Sequence, residues 1–203
     1  MRKEKDIPEV EKYPYKVRRL ALNLEAHGVP WEQALSEIAG AKGIGNKNPS
    51  KAAQWYSDNL PRLEEKYGAD FKAVMEDCAC CKSGERARQA ARIFKENPDF
   101  ESRLTALAAC PVIIGHSLTR VDGKTFDVCF FPEGWSFYGC ACLRFGPDDE
   151  YALIPKSYCD CCGGHIRFHA EKALGVPLTE EVLASALASK GKDPCRIRLT
   201  VRA

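Results

Sequence analysis

Eight of the eleven cysteines fall into three tight groups: Cys78-Ala79-Cys80-Cys81, Cys140-Ala141-Cys142 and Cys159-Asp160-Cys161-Cys162. The first and last share a Cys-x-Cys-Cys spacing, and the last runs straight into Gly163-Gly164-His165. Thiolate sulfur is polarisable and donates well to soft and borderline metals, and a tetrahedral ion bound only by sulfur takes four donors at about 2.3 Å. Three cysteines within four residues cannot enclose an ion alone, so a second segment is expected, and either of the other groups could supply it. The reading is one thiolate-rich site shared by distant parts of the chain. Its leading ligands are Cys78, Cys80, Cys81, Cys159, Cys161 and Cys162, followed by Cys140, Cys142 and His165. So many thiols around one ion imply either that some support the ligands from outside or that the site holds more than one metal.

The spacing matches neither the Cys-x-x-Cys of zinc fingers nor the Cys-x-x-Cys-x-x-Cys of bacterial ferredoxins. Zinc is the first reading and an iron–sulfur cluster the alternative. Both Cys-x-Cys-Cys motifs are expected at helix N-termini, where the helix dipole and unpaired amides favour anionic sulfur. A thiol so placed, with an imidazole nearby, could instead act as a nucleophile, which makes Cys162 and His165 the candidates for a hydrolase acting on a small molecule. A redox version would cycle adjacent thiols such as Cys80 and Cys81, and a third reading is a small-molecule or redox sensor. His169 lies one helical turn beyond His165 and reads as a supporting or core histidine. Cys110, Cys129 and Cys195 are isolated beside apolar segments and read as small hydrophobes of the core.

The elements that must position these groups divide the chain in two. Residues 1–109 read as a helical region, with helices over Tyr13 to His27, Trp31 to Ala41, Lys51 to Tyr67 with a bend at Pro61, and Asp70 to about Glu76 capped by Asp70. One further helix follows Ser83-Gly84, with Ala87, Ala90, Ala91 and Phe94 inward, and another covers Phe100 to Ala109. Residues 110–203 read as an α+β region. Thr125 to Phe131 alternates as a half-buried strand, and Trp135 to Phe145 reads as a strand with Trp135, Phe137, Ala141, Leu143 and Phe145 in the core. The opposite face of that strand would carry Tyr138, Cys140, Cys142 and Arg144. A helix from about Gly163 to Leu174 ends at Gly175 and Pro177. Leu178 to Ser189 fits either a helix or a strand, and Cys195 to Val201 is the last strand. The fold class is α+β, a helical N-terminal part packed on an antiparallel sheet plus helix, with the thiolate site between the two regions.

At 203 residues the chain can bury a core without crosslinks. A formal charge of +2 with no basic block argues against a nucleic-acid partner. No stretch approaches the roughly 20 apolar residues of a membrane span, and no apolar run of signal-peptide length follows the charged stretch Met1-Arg2-Lys3-Glu4-Lys5-Asp6. A cytoplasmic protein is expected, and in that compartment clustered cysteines read as ligands or redox thiols sooner than as disulfides. Asp148-Asp149-Glu150 reads as a solvated turn, and Gly43-Ile44-Gly45 as a loop without nucleotide-binding context.

The run Ser157-Tyr158-Cys159-Asp160-Cys161-Cys162, Gly164-His165, Phe168-His169, Ala173-Leu174-Gly175 and Gly191-Lys192-Asp193-Pro194-Cys195 resembles an uncharacterised family of cysteine-rich bacterial proteins. Those also carry a central Cys-x-Cys-Cys, matched here by Cys78, Cys80 and Cys81. The C-terminal half is fainter in its similarity to the 4-vinyl reductase domain and the L-2-amino-thiazoline-4-carboxylic acid hydrolases, through Gly191, Asp193 and Cys195. That similarity implies an α/β ligand-binding fold, a strand over Leu178 to Ser189 and a possible small-molecule ligand.

Overall fold

The computed structural model describes residues 2–44, 48–78, 82–140, 142, 143, 147 and 153–202. Among them the chain is α+β: eight α-helices and one four-stranded antiparallel sheet. The helical part comprises α1 (Tyr15–Ala26), α2 (Trp31–Ile38), α3 (Pro49–Tyr67), α4 (Asp70–Asp77), α5 (Glu85–Glu96), α6 (Phe100–Ala108) and the single turn α7 (Pro111–Ile114). Then follow β1 (Ser117–Arg120), β2 (Thr125–Cys129), α8 (Asp160–Leu174), β3 (Leu178–Ala184) and β4 (Arg196–Val201). The strands are ordered β1-β2-β4-β3.

Helix ends follow local chemistry. Asn48 caps α3 by accepting from the Lys51 amide at 3.0 Å, and Pro49 occupies the first turn, where no amide proton is needed. Asp99 caps α6 in a reciprocal box with Ser102. Gly175, at φ +77°, closes α8 in the left-handed conformation. Two expectations at helix level change. Asp70 is the first helical residue of α4 and Ala69 holds the cap position, with no side-chain cap bond. On α5 the buried residues are Ala90 and Ile93, while Phe94 is exposed and lies under the Arg103 guanidinium, 4.1 Å from the ring centre.

In the sheet, Phe126 and Val128 of β2 face Leu199 and Ile197 of β4, and Leu178 and Val182 of β3 fall on the same buried side. This face carries α8. The helix contacts β3 as well as α4, α5 and α6, and so joins the two halves of the chain. Ile166, Ala170, Ala173 and Leu174 are buried there, each large side chain stabilising by roughly 1.5–3 kcal/mol. Leu178 to Ser189 resolves into β3 followed by turns; its helical periodicity is overridden by the pairing with β4.

The expected strand over Trp135 to Phe145 is not formed among its described residues, apart from an isolated bridge at Cys140. Both long edges of β2 are taken, by β1 and β4, and Gly134 at φ +86° turns the chain away. Burial is the reverse of the expected pattern at Trp135, 52% exposed, and Tyr138, 4%, and follows it at Leu143, buried, and Cys142, exposed. Tyr138 bonds instead to the loop between β3 and β4, its amide donating to the Gly191 carbonyl at 2.9 Å. The Phe137 ring fills the space a Cβ on Gly191 would take, and Gly191 sits at φ +79°. This docking carries the chain on to Cys140 and Cys142.

Candidate functional site: thiols at the head of the central helix

Two glycines let the central helix reach its neighbours. A Cβ on Gly164 would fall on the Glu76 carbonyl oxygen and 2.8 Å from the Glu76 Cα, so α4 and α8 are in backbone contact there. A Cβ on Gly163 would lie 2.9 Å from the Glu180 side chain on β3. The pair that follows the last cysteines thus seats the first turn of α8 between the end of α4 and the sheet.

Cys159 occupies the cap position of α8, and Cys161 and Cys162 lie in its first turn. The expected placement at a helix N-terminus holds for this motif, with the helix starting at Asp160 rather than Gly163. Cys78 is a correction. It caps the C-terminus of α4, where the dipole disfavours a thiolate, and α5 begins only at Glu85. Its thiol is pushed up to about 12 by burial, reinforced by Cys161 and opposed by Lys16 and by an Asn23 side-chain amide that donates to its sulfur at 3.1 Å. Cys80 and Cys81 lie outside the described residues, as do Asp148, Asp149 and Glu150.

The sulfurs of separate segments meet in two groups. In the first, Cys142 Sγ lies 4.0 Å from Cys162 Sγ, and the Cys140 thiol interacts with Cys142 as well. Those two contacts, with Cys140 first, push the Cys142 thiol far down, with Lys16 and His165 helping. The hydrogen bond to Cys142 pushes both Cys140 and Cys162 up, and burial adds to it. The trio therefore shares its protons, with Cys142 the member most easily ionised. In the second group Cys159 and Cys195 interact, which raises the first thiol and lowers the second. Cys159 Sγ also lies 3.0 Å from Ser185 Oγ, and the Ala186 amide donates to Cys195 Sγ at 3.4 Å. The isolated core role expected of Cys195 is thus replaced by a partnership with Cys159.

Lys16, in the first turn of α1, supplies the cation. Its ammonium donates to the Tyr158 carbonyl at 3.0 Å and sits 3.4 Å above the Tyr158 ring, which packs edge-on against Tyr56. Burial pulls the Lys16 pKa down, but the facing Cys161, Tyr158, Cys162 and Cys142 outweigh it and raise the value. His165 moves the other way, to about 4, through burial and then the neighbouring His169 and Arg86. The imidazole is neutral at pH 7, and its Nε2 is buried with no hydrogen-bond partner among the described residues. Cys162 and His165, paired in the nucleophile reading, are thus a thiol pushed up and an imidazole pushed down. His169 is fully buried, its ring centre 4.9 Å from that of His165.

Cys110 and Cys129 are partly buried and stand outside both groups; the Cys129 thiol donates to the Phe131 carbonyl at 3.2 Å. Among the described residues no group of three or more His, Cys, Asp or Glu side chains is arranged to hold a metal ion. Sequence reasoning missed Lys16, Ser185 and Cys195. For Lys16 a signal existed: Lys16, Leu20, Asn23 and His27 follow one helical face, and Asn23 and His27 bond Cys78 and Asp77 at the end of α4. No helix of the described residues is long and apolar enough to cross a membrane. No family model, no curated protein and no solved structure matches the chain.

Proposed function

We propose that the protein binds a soft or borderline metal ion, zinc before an iron–sulfur cluster, at the thiol cluster heading α8. One observation carries this reading. The sulfurs of Cys142 and Cys162 are 4.0 Å apart, close to the roughly 3.8 Å edge of a tetrahedron whose corners lie about 2.3 Å from its centre. These two are the core of the ligand set. Cys140 adjoins them, and His165 offers a neutral, buried nitrogen of the kind that ligates metals. Zinc would supply charge neutralisation for thiolates that otherwise share protons, and would tie the 140–142 segment to α8. Cys159 and Cys195, with Ser185, serve as a supporting layer. Cys78 anchors α4 beneath the site through Asn23. Cys80 and Cys81 enter the ligand set on sequence spacing alone.

The test is metal analysis of anaerobically purified full-length protein, with an absorption spectrum to separate zinc from iron–sulfur. A near-stoichiometric metal, lost in Cys142→Ser/Cys162→Ser, is the expected result. Protein with every thiol reduced that retains no metal after zinc addition and gel filtration would overturn the reading.

A further inference from the structure

The same two sulfurs have a second chemistry that needs no metal. We infer that Cys142 and Cys162 are a hydroperoxide-oxidised pair that closes into a disulfide between the 140–142 segment and α8. Cys142 is exposed, so an oxidant of the hydroperoxide class reaches it from solvent, whereas Cys159 and Cys161 are buried. Cys162 sits in the first turn of a helix locked at Gly163 and Gly164, while Cys142 lies in a turn outside any helix or strand. Closing from 4.0 Å to the about 2.05 Å of a disulfide therefore falls to the Cys142 side.

The chemistry balances in two steps. Cys142 sulfur attacks the terminal peroxide oxygen, the O–O bond breaks, and the alcohol, or water from hydrogen peroxide, departs with a proton; Cys142 becomes a sulfenic acid. Cys162 sulfur then attacks the Cys142 sulfur, the S–S bond forms, the S–O bond breaks, and the hydroxide leaves as water with the Cys162 proton. Two thiols supply two electrons, and one hydroperoxide is reduced to an alcohol and water. Where the site carries metal, this removes two ligands and releases the ion.

Reduced full-length protein is treated with stoichiometric hydrogen peroxide, alkylated, digested and mapped by mass spectrometry without reductant. The expected product is a Cys142–Cys162 crosslinked peptide with the loss of two thiols. Cys140→Ser/Cys162→Ser should stop at a Cys142 sulfenic acid that dimedone traps, and Cys142→Ser should give neither product. Crosslinks dominated by other cysteines, or an unmodified Cys142 at a dose that oxidises Cys110 or Cys129, would overturn the inference. The two readings fail separately: a disulfide in protein that never holds metal leaves this inference standing, and a metalloprotein that forms no such link leaves only the metal reading.

Discussion

The central helix carries two polar clusters on its first three turns, and they are completed in opposite ways. One is ionic. Arg167 bridges Glu76 of α4 and Glu180 of β3, with its guanidinium 2.9 Å from Glu180, and Lys72 reaches both carboxylates at 3.3 and 2.9 Å. The Lys72 ammonium also donates to the Glu180 carbonyl. Two cations thus face Glu76 and Glu180 across the helix–sheet boundary, with the Asp160 carboxyl of α8, pushed up to about 7 first by burial, facing the same groups. The other cluster is sulfur. Its members are acids of one kind, paired with each other by sharing protons, and Lys16 is the cation that tempers them. Cations set between carboxylates describe a fastening; a sulfur cluster with one facing cation is the part of the helix that the proposed function draws on. If the proposed function holds, substitutions at each side of this one helix should fail in different ways.

The largest effect is expected at Arg167. Arg167→Met leaves Glu76 and the nearly inaccessible Glu180 carboxylate under-compensated, at a cost of about 3–5 kcal/mol in urea unfolding. Adding Glu180→Gln should restore part of it, because one buried charge is removed with the other. Both variants should keep the Cys142–Cys162 chemistry as long as they fold. If Arg167→Met loses metal or disulfide formation at full stability, the two clusters are one system and the comparison fails.

Next comes Gly164→Ala, which puts a methyl group onto the Glu76 backbone. Separating α4 from α8 should cost about 1–3 kcal/mol. It should also bring the Cys78 thiol down toward ordinary values, since the burial that raises it depends on that contact; cysteine alkylation against pH measures this.

How much of this was readable beforehand follows from the range of the forces involved. The helices were largely visible, because apolar spacing and caps such as Asn48 and Asp99 are local. The clustering of thiols at the head of α8 was visible for the same reason. What escaped depends on distant partners. Trp135 to Phe145 alternates like a strand but finds both edges of β2 occupied, and Gly191 on another loop receives its aromatic ring instead. Leu178 to Ser189 fits either a helix or a strand, and the pairing of Leu178–Ala184 with β4 decides for the strand. β1 is four residues long, too short for its alternation to stand out. Cys195 looked like core because its partner, Cys159, lies 36 positions earlier.

A second closed ionic cluster sharpens the contrast by its response to acid. Glu37 on α2 is buried and accepts from Arg62 at 2.6 Å, from Lys66, and from the Tyr67 hydroxyl at 3.0 Å. Burial raises its pKa, but the three donors outweigh it and the net value is lowered. A depressed carboxylate stabilises the fold above its unfolded pKa of about 4.3, and that contribution disappears as pH falls through the lower folded value. Glu37→Gln should therefore destabilise by about 1–3 kcal/mol at pH 7 and by progressively less below pH ~4, read from urea midpoints across pH. A constant difference from pH 3 to 7 would mean that the cluster's charge is not what holds α2 to α3.

The smallest effect on stability is expected at the thiols themselves. Cys142→Ser removes an exposed sulfur from a turn, and Cys142→Ser/Cys162→Ser keeps hydroxyls that can still exchange a hydrogen bond, so unfolding in the reduced, metal-free state should shift by less than about 1 kcal/mol. The same variants should lose metal binding and peroxide crosslinking completely. Near-unchanged stability with abolished chemistry is the signature of residues kept for what they do to a ligand, since a fastening that is cut must show in the fold. A loss of 3 kcal/mol or more in the double variant, comparable to that of Arg167→Met, would place the sulfur trio among the fastenings. The asymmetry between the two sides of α8 would then have to be explained by packing alone.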